Sequence, residues 1–187
     1  GGGADTMSYD YTGSYSGALT ADGKSVESSG ETVSATSSDQ NAALVQNGGT
    51  LTITNGKLTK SGDSDNADNC NFYGTNSALL AVGEKSKAII SDSSIDATSS
   101  GSNAIFSTDS ASVLANNVNI TTSAANSRGL DATYGGSIIA NAMTISTKGD
   151  HSASLATDRG GGSVSVTDST LNTAGSGSPL LYSTGDI

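Results

Sequence analysis

The sequence predicts an all-β fold, a single-stranded right-handed parallel β-helix of about six to seven three-strand coils of ~25 residues each. Three observations predict it. Large apolar residues recur at a fixed spacing, the residues around each alternate as strands do, and Gly, Asn, Asp and Ser fill the intervals.

A first row runs Leu19, Leu44, Leu79, Ile105, Leu130, Leu155 and Leu180, with steps of 25, 35, 26, 25, 25 and 25. A second runs Val26, Leu51, Ile89, Val113, Ile138, Val164 and Ile187. A third runs Val33, Leu58, Ile95, Ile120, Ile145 and Leu171. The rows take 20 of the 32 Leu, Ile, Val and Phe residues, and the second and third stay 6 or 7 residues apart in every coil. Segments such as Thr50-Leu51-Thr52-Ile53-Thr54 and Thr144-Ile145-Ser146 have the period-2 alternation and β-branched content of strands. Stacked coils, about 4.8 Å apart, turn the rows into three inward aliphatic ladders. Ile53, Ala115, Ala140 and Val166, two beyond the second row, also point inward and supply the smaller partners that a narrow interior needs. Parallel crossovers are right-handed almost without exception, which gives the expected hand.

Residues 1–15 lack the repeat and hold Tyr9, Tyr11 and Tyr15; they are expected to cap the first coil. Residues 16–187 form the β-helix, with an inserted loop at 61–76 expected to lie over the outward side of the first row, where Val45, Leu80 and Phe106 make an apolar strip. Leu180 and Ile187 open a seventh coil that does not finish. The expectation is a fragment of a longer surface protein, or a subunit that associates end to end with another copy.

Composition narrows the partners. Eight Lys and Arg against 18 Asp and Glu, with no basic run, argue against nucleic acid and against anionic membrane surfaces. No apolar stretch approaches membrane-spanning length. Cys70 is the only cysteine, so an intrachain disulfide is impossible.

Two constellations could carry chemistry. Asp63, Asp65 and Asp68, with Asn66 and Asn69, offer oxygen donors suited to Ca²⁺, without the Gly and terminal Glu of an EF-hand loop. Asp109, Tyr134 and Arg159 each lie four beyond a first-row residue and therefore stack at one corner, with Asp158 adjoining and Asp131 facing outward from the strand before. This mixture of acid, aromatic and guanidinium suits a sugar or carboxylate ligand; it suits equally a surface ladder held by a cation–π contact. His151 lies beside Asp150 at another corner, one coil beyond Arg128.

The segments Asn126-Ser-Arg-Gly-Leu-Asp-Ala-Thr-Tyr-Gly-Gly-Ser-Ile-Ile-Ala-Asn141, Asp158-Arg-Gly-Gly-Gly162 and Gly177-Ser-Pro-Leu-Leu-Tyr-Ser-Thr-Gly-Asp186 resemble the adhesin-type right-handed β-helices of bacterial surface proteins, a scaffold shared in form with pectate-lyase-like and autotransporter passenger domains. The resemblance implies an extracellular or cell-surface adhesion module whose corners and loops meet glycans or proteins. A polysaccharide lyase or glycosidase using Asp131, Asp158 and Arg159 is the alternative, and a self-assembling fibre subunit a third. No catalytic set of the pectinolytic kind is present, so the expectation is a protein that is not an enzyme.

Overall fold

The computed structural model describes residue 3 and residues 6–187, and it is a parallel β-solenoid of about seven turns. The first coil holds β1 (Ser16–Asp22), β2 (Ser25–Ser29) and β3 (Thr32–Ala35); the second holds β4 (Gln40–Gln46), β5 (Thr50–Thr54) and β6 (Lys57–Lys60). A short helix, α1 (Ala67–Tyr73), follows. The third coil is β7 (Leu79–Val82) and the long β8 (Lys87–Ala97), and the fourth is β9 (Ile105–Thr108) and β10 (Ser112–Thr122). Then come β11 (Leu130–Ala132), β12 (Ser137–Asn141) and β13 (Thr144–Thr147), followed by β14 (Leu155–Thr157), β15 (Ser163–Thr167) and β16 (Thr170–Thr173), and finally β17 (Leu181–Tyr182). Among the described residues no helix is long and apolar enough to cross a membrane.

The first wall is a seven-stranded parallel sheet, β1-β4-β7-β9-β11-β14-β17. The second and third walls form one hydrogen-bonded sheet, because β8 and β10 run unbroken through both. The bend between these walls is made by one residue per coil in the left-handed region: Gly30, Asn55, Asp92, Asn117, Ala142 and Asp168. Four of the six are Asn or Asp, the side chains that tolerate this backbone best after glycine. Asn117 Nδ2 donates to Asp92 Oδ1 across 2.9 Å, stitching neighbouring coils at the surface.

The third corner is stitched from inside. The backbone N–H of Ser102 donates to Ser127 Oγ (3.0 Å), that of Ser127 to Ser152 Oγ (3.0 Å) and that of Ser152 to Ser178 Oγ (2.9 Å). Ser102, Ser127 and Ser152 are fully buried, and the hydroxyl ladder satisfies corner N–H groups that no strand could reach.

The third row is as the spacing predicts: Val33, Leu58, Ile95, Ile120, Ile145 and Leu171 pair in succession. The other two rows need corrections of one residue. Leu19 pairs with Ala43, Ala43 with Leu79 and Leu155 with Leu181, so Ala43 and Leu181 hold the places assigned to Leu44 and Leu180. In the second row Leu51 and Val113 both pair with Ala88, and Ile89 points outward. The inward partners Ile53, Ile90, Ala115, Ala140 and Val166 follow in register. Val45 is in the interior, and the outward strip of the first wall is Leu44, Leu80, Val82 and Phe106.

That strip is buried by two segments outside the repeat. Tyr9 and Tyr15 of the N-terminal arm pack against it. The arm lies along the outer face of the first wall and not over the end of the first coil: a Cβ on Gly160 would sit 2.9 Å from the Met7 carbonyl, five coils from where β1 begins. Residues 1, 2, 4 and 5 of the expected cap lie outside the described residues. The inserted loop supplies the second cover. Its helix is capped by Asn66, whose side chain accepts from the Asn69 N–H, and it ends at Gly74 in the left-handed conformation. A Cβ on Gly74 would come within 2.6 Å of both Leu80 and Phe106, so only glycine lets the helix return this close to the wall.

Candidate functional site

Helix α1 is tied to the wall beneath it through its backbone carbonyls. Asn103 Nδ2 donates to the Cys70 carbonyl (3.1 Å), Thr133 Oγ1 to Phe72 (2.8 Å) and Tyr15 OH to Tyr73 (2.8 Å). These are C-terminal carbonyls with no partner inside the helix, so side chains of the wall complete them. Tyr73 stacks on Tyr134 with ring centroids 5.4 Å apart and planes within 5° of parallel. Tyr9 meets both rings edge-on at 5.6 Å.

Of the corner residues, Asp109 and Tyr134 stack in consecutive coils, since Ser110 donates its N–H to the Tyr134 carbonyl; Tyr134 donates its own N–H to the Arg159 carbonyl and so lies against Gly160, which puts Arg159 one residue out of the expected stack. Their side chains part company. Tyr134 is buried in the tyrosine cluster. Arg159 lays its guanidinium 3.6 Å above the Phe72 ring, so the cation–π partner is the helix and not the tyrosine of the stack. Asp109 faces a different cleft, toward the second wall.

Asp131 sits on the outer side of the first wall between Phe106 and Ala156, as alternation predicts, but beneath the cover it is only 1% exposed. Its Oδ2 lies 3.9 Å from Arg128 Nε, the one ion pair among the described residues, and its Oδ1 has no partner. Burial pushes the Asp131 carboxyl well above its ordinary range; the Arg128 guanidinium pulls the other way and Asp158 adds to the rise. Asp158 is likewise raised by burial, against the pull of Arg128 and a hydrogen bond from the Arg159 N–H.

Arg128 also donates from Nη1 to Asn71 Oδ1 at 2.6 Å, which brings the helix, Arg128 and Asp158 to the rim of one cleft of about 340 Å³. Phe72 and Tyr182 give it aromatic surface; Asn71, Asn126, Arg128, His151 and Asp158 give it donors and acceptors. His151 takes its place because its coil position stacks between Asn126 and Gly177, and a Cβ on Gly177 would meet the imidazole at 2.9 Å. Tyr182 is half exposed at the last coil.

No protein-family model matches this chain, and neither does any curated protein or solved structure. The site therefore stands on its own geometry.

Of the residues singled out by sequence, the structure brings Asp158 to this cleft, places Arg159 behind its Phe72 wall and keeps Asp131 beneath it. It separates Asp109 and Tyr134 from it. Phe72 and Asn71 were not legible as site residues, because the helix approaches from outside the repeat, whereas Tyr182 pairs with Ala156 in the last coil. His151 and Asn126 carry a readable signal: they lie 25 residues apart, one coil.

The proposed cation loop is dispersed. Asp63 accepts from the Ser100 N–H (2.9 Å), and Asp68 lies in the first turn of α1, where a carboxylate complements the helix dipole. Among the described residues no group of three His, Cys, Asp or Glu side chains is placed to hold a metal ion.

Proposed function

We propose that the chain is a non-enzymatic binding module of an extracellular or cell-surface protein, and that it binds a neutral glycan in the cleft between α1 and the last coils. The observation that carries this reading is the pairing of two aromatic side chains, Phe72 and Tyr182, with a set of planar polar groups from Asn71, Asn126, Arg128 and Asp158. Sugar rings present an apolar face and a rim of hydroxyls, and such a cleft offers a surface for the first and both donors and acceptors for the second. Arg128 and Asp158 carry opposite charges, which favours an uncharged ligand over an acidic one.

A lyase or glycosidase is supported less. Asp131, the second acid such chemistry would need, is covered and lies outside the cleft lining, and Arg159 is engaged with Phe72.

A glycan array with the intact chain tests the reading. Binding of a neutral oligosaccharide should be weakened by about tenfold in Tyr182→Ala, a change at an exposed side chain that leaves the fold intact. An array without a neutral ligand, or binding indifferent to Tyr182→Ala and His151→Ala, would remove it.

A further inference from the structure

A second cleft, of about 690 Å³, lies on the opposite edge of the first wall where it turns into the second. It is lined by Tyr9 and Tyr15 of the N-terminal arm and by corner residues of three successive coils, among them Asn47, Glu84 and Asp109. Two glycines make the recess. A Cβ on Gly48 would meet nothing nearer than 3.9 Å, and one on Gly83 nothing nearer than 3.6 Å, so side chains are missing here where Asn47 and Asp109 stand on either side.

The chemistry of this cleft is one-sided. Asp109 and Glu84 both line it, and neither is engaged in an ion pair or a side-chain hydrogen bond among the described residues. Lys85 shares the rim without reaching either carboxylate within ion-pair distance. The amide nitrogens of Asn47 and Gln46 are both committed to Asp22, at 2.6 and 3.4 Å, which leaves their amide oxygens as acceptors. Burial and the neighbouring Glu84 charge raise the Asp109 carboxyl above its usual range, as expected of an acid facing another acid without a donor between them. The cleft thus presents two carboxylates, two amide oxygens and tyrosine rings, with Lys85 as its one charged donor.

We infer that this cleft is a second binding site and that it takes a glycan carrying a free amino group. An ammonium supplies the charge that Asp109 and Glu84 lack, with charge-assisted hydrogen bonds. The hydroxyls of the same ring donate to the amide oxygens of Gln46 and Asn47, and the tyrosines offer a cation–π and apolar surface. A bare metal ion would leave the tyrosine surface unused, and an acidic sugar would be repelled. The site shares no residue with the cleft beside α1 and does not rest on the reading given above.

Isothermal titration of the intact chain with a β-1,4-linked glucosamine trimer, and with its fully N-acetylated counterpart, tests this. The N-acetylated trimer has the same rings without the charge and should bind at least tenfold more weakly. Asp109→Asn should cost a further tenfold in affinity for the amine form while preserving the fold, since Asp109 has φ +51° and Asn adopts that backbone readily. Glu27→Gln, at an exposed acid elsewhere, and Tyr182→Ala should leave the affinity unchanged. Equal binding of the two trimers, or no binding of either, would overturn the inference. So would an equal loss in Glu27→Gln, which would mark diffuse attraction to a chain of formal charge −10, or a loss in Tyr182→Ala, which would place the trimer in the other cleft.

Discussion

Replacing Asp131 by Asn should stabilise the protein at neutral pH, and the structure gives the size of the effect. The carboxylate is 1% exposed, has one oxygen without any partner and faces a single cation at 3.9 Å. At that distance, with the effective dielectric of a protein site, the attraction to Arg128 is about 4 kcal/mol. Taking an ionised carboxylate out of water costs several kcal/mol, and the orphaned oxygen adds about 1–3 kcal/mol. The raised pKa means the costs win. Between its ordinary value of 3.8 and the raised native one, the folded state binds more protons than the unfolded state, so this group's contribution falls as pH rises through that window. Asn keeps the shape and removes the charge, and Arg128 retains Asn71 at 2.6 Å and the Asp158 charge. The expected gain is about 1–2 kcal/mol at pH 7, fading to nothing below pH ~3.8, where both states of the wild type are protonated. Urea unfolding of wild type and variant across pH 3–8 measures it. A variant less stable than wild type at pH 7, or a difference that grows toward acid, would refute the reasoning and show the ion pair to be net favourable.

Three further outcomes follow from packing and backbone. Ile120→Ala, in the middle of the third ladder, should cost about 2–5 kcal/mol by chemical denaturation, because Ile95 and Ile145 above and below cannot close the cavity. Gly149→Ala should cost at least about 2 kcal/mol, since its Cβ would stand 1.8 Å from the Ala124 carbonyl oxygen of the previous coil. Ala142 holds φ +55° at the corner where other coils use Gly, Asn or Asp; Ala142→Gly should raise stability by roughly 0.5–1.5 kcal/mol, read as an increase in Tm.

The legibility of the sequence followed burial. The third wall is covered on its inner face only, its strands alternate, and every member of its row was readable. Along β4 five consecutive residues, Asn41 to Val45, are buried, because the arm and α1 cover the outer face as well. A strand buried on both sides loses its period of two, and Ala43-Leu44-Val45 can then be read in either phase. The same ambiguity attends Ala88-Ile89-Ile90 and Leu180-Leu181, where apolar residues are adjacent. The candidate cleft was half legible for a related reason. Residues stacked by the coil, such as Asn126 and His151, follow from counting, whereas Phe72 and Asn71 arrive through an insertion whose docking no repeat encodes.

The course of the N-terminal arm bears on how this molecule comes apart. A stack of coils in contact only with their neighbours is free to fray from either end, each coil opening at its own modest cost. Here Met7 reaches Gly160, Tyr9 reaches Tyr134 and Tyr15 reaches Tyr73, so one segment spans most of the length of the stack. Opening a terminal coil then means peeling a strap that the middle coils also hold, and a quasi-one-dimensional array acquires the all-or-none melting of a globular domain.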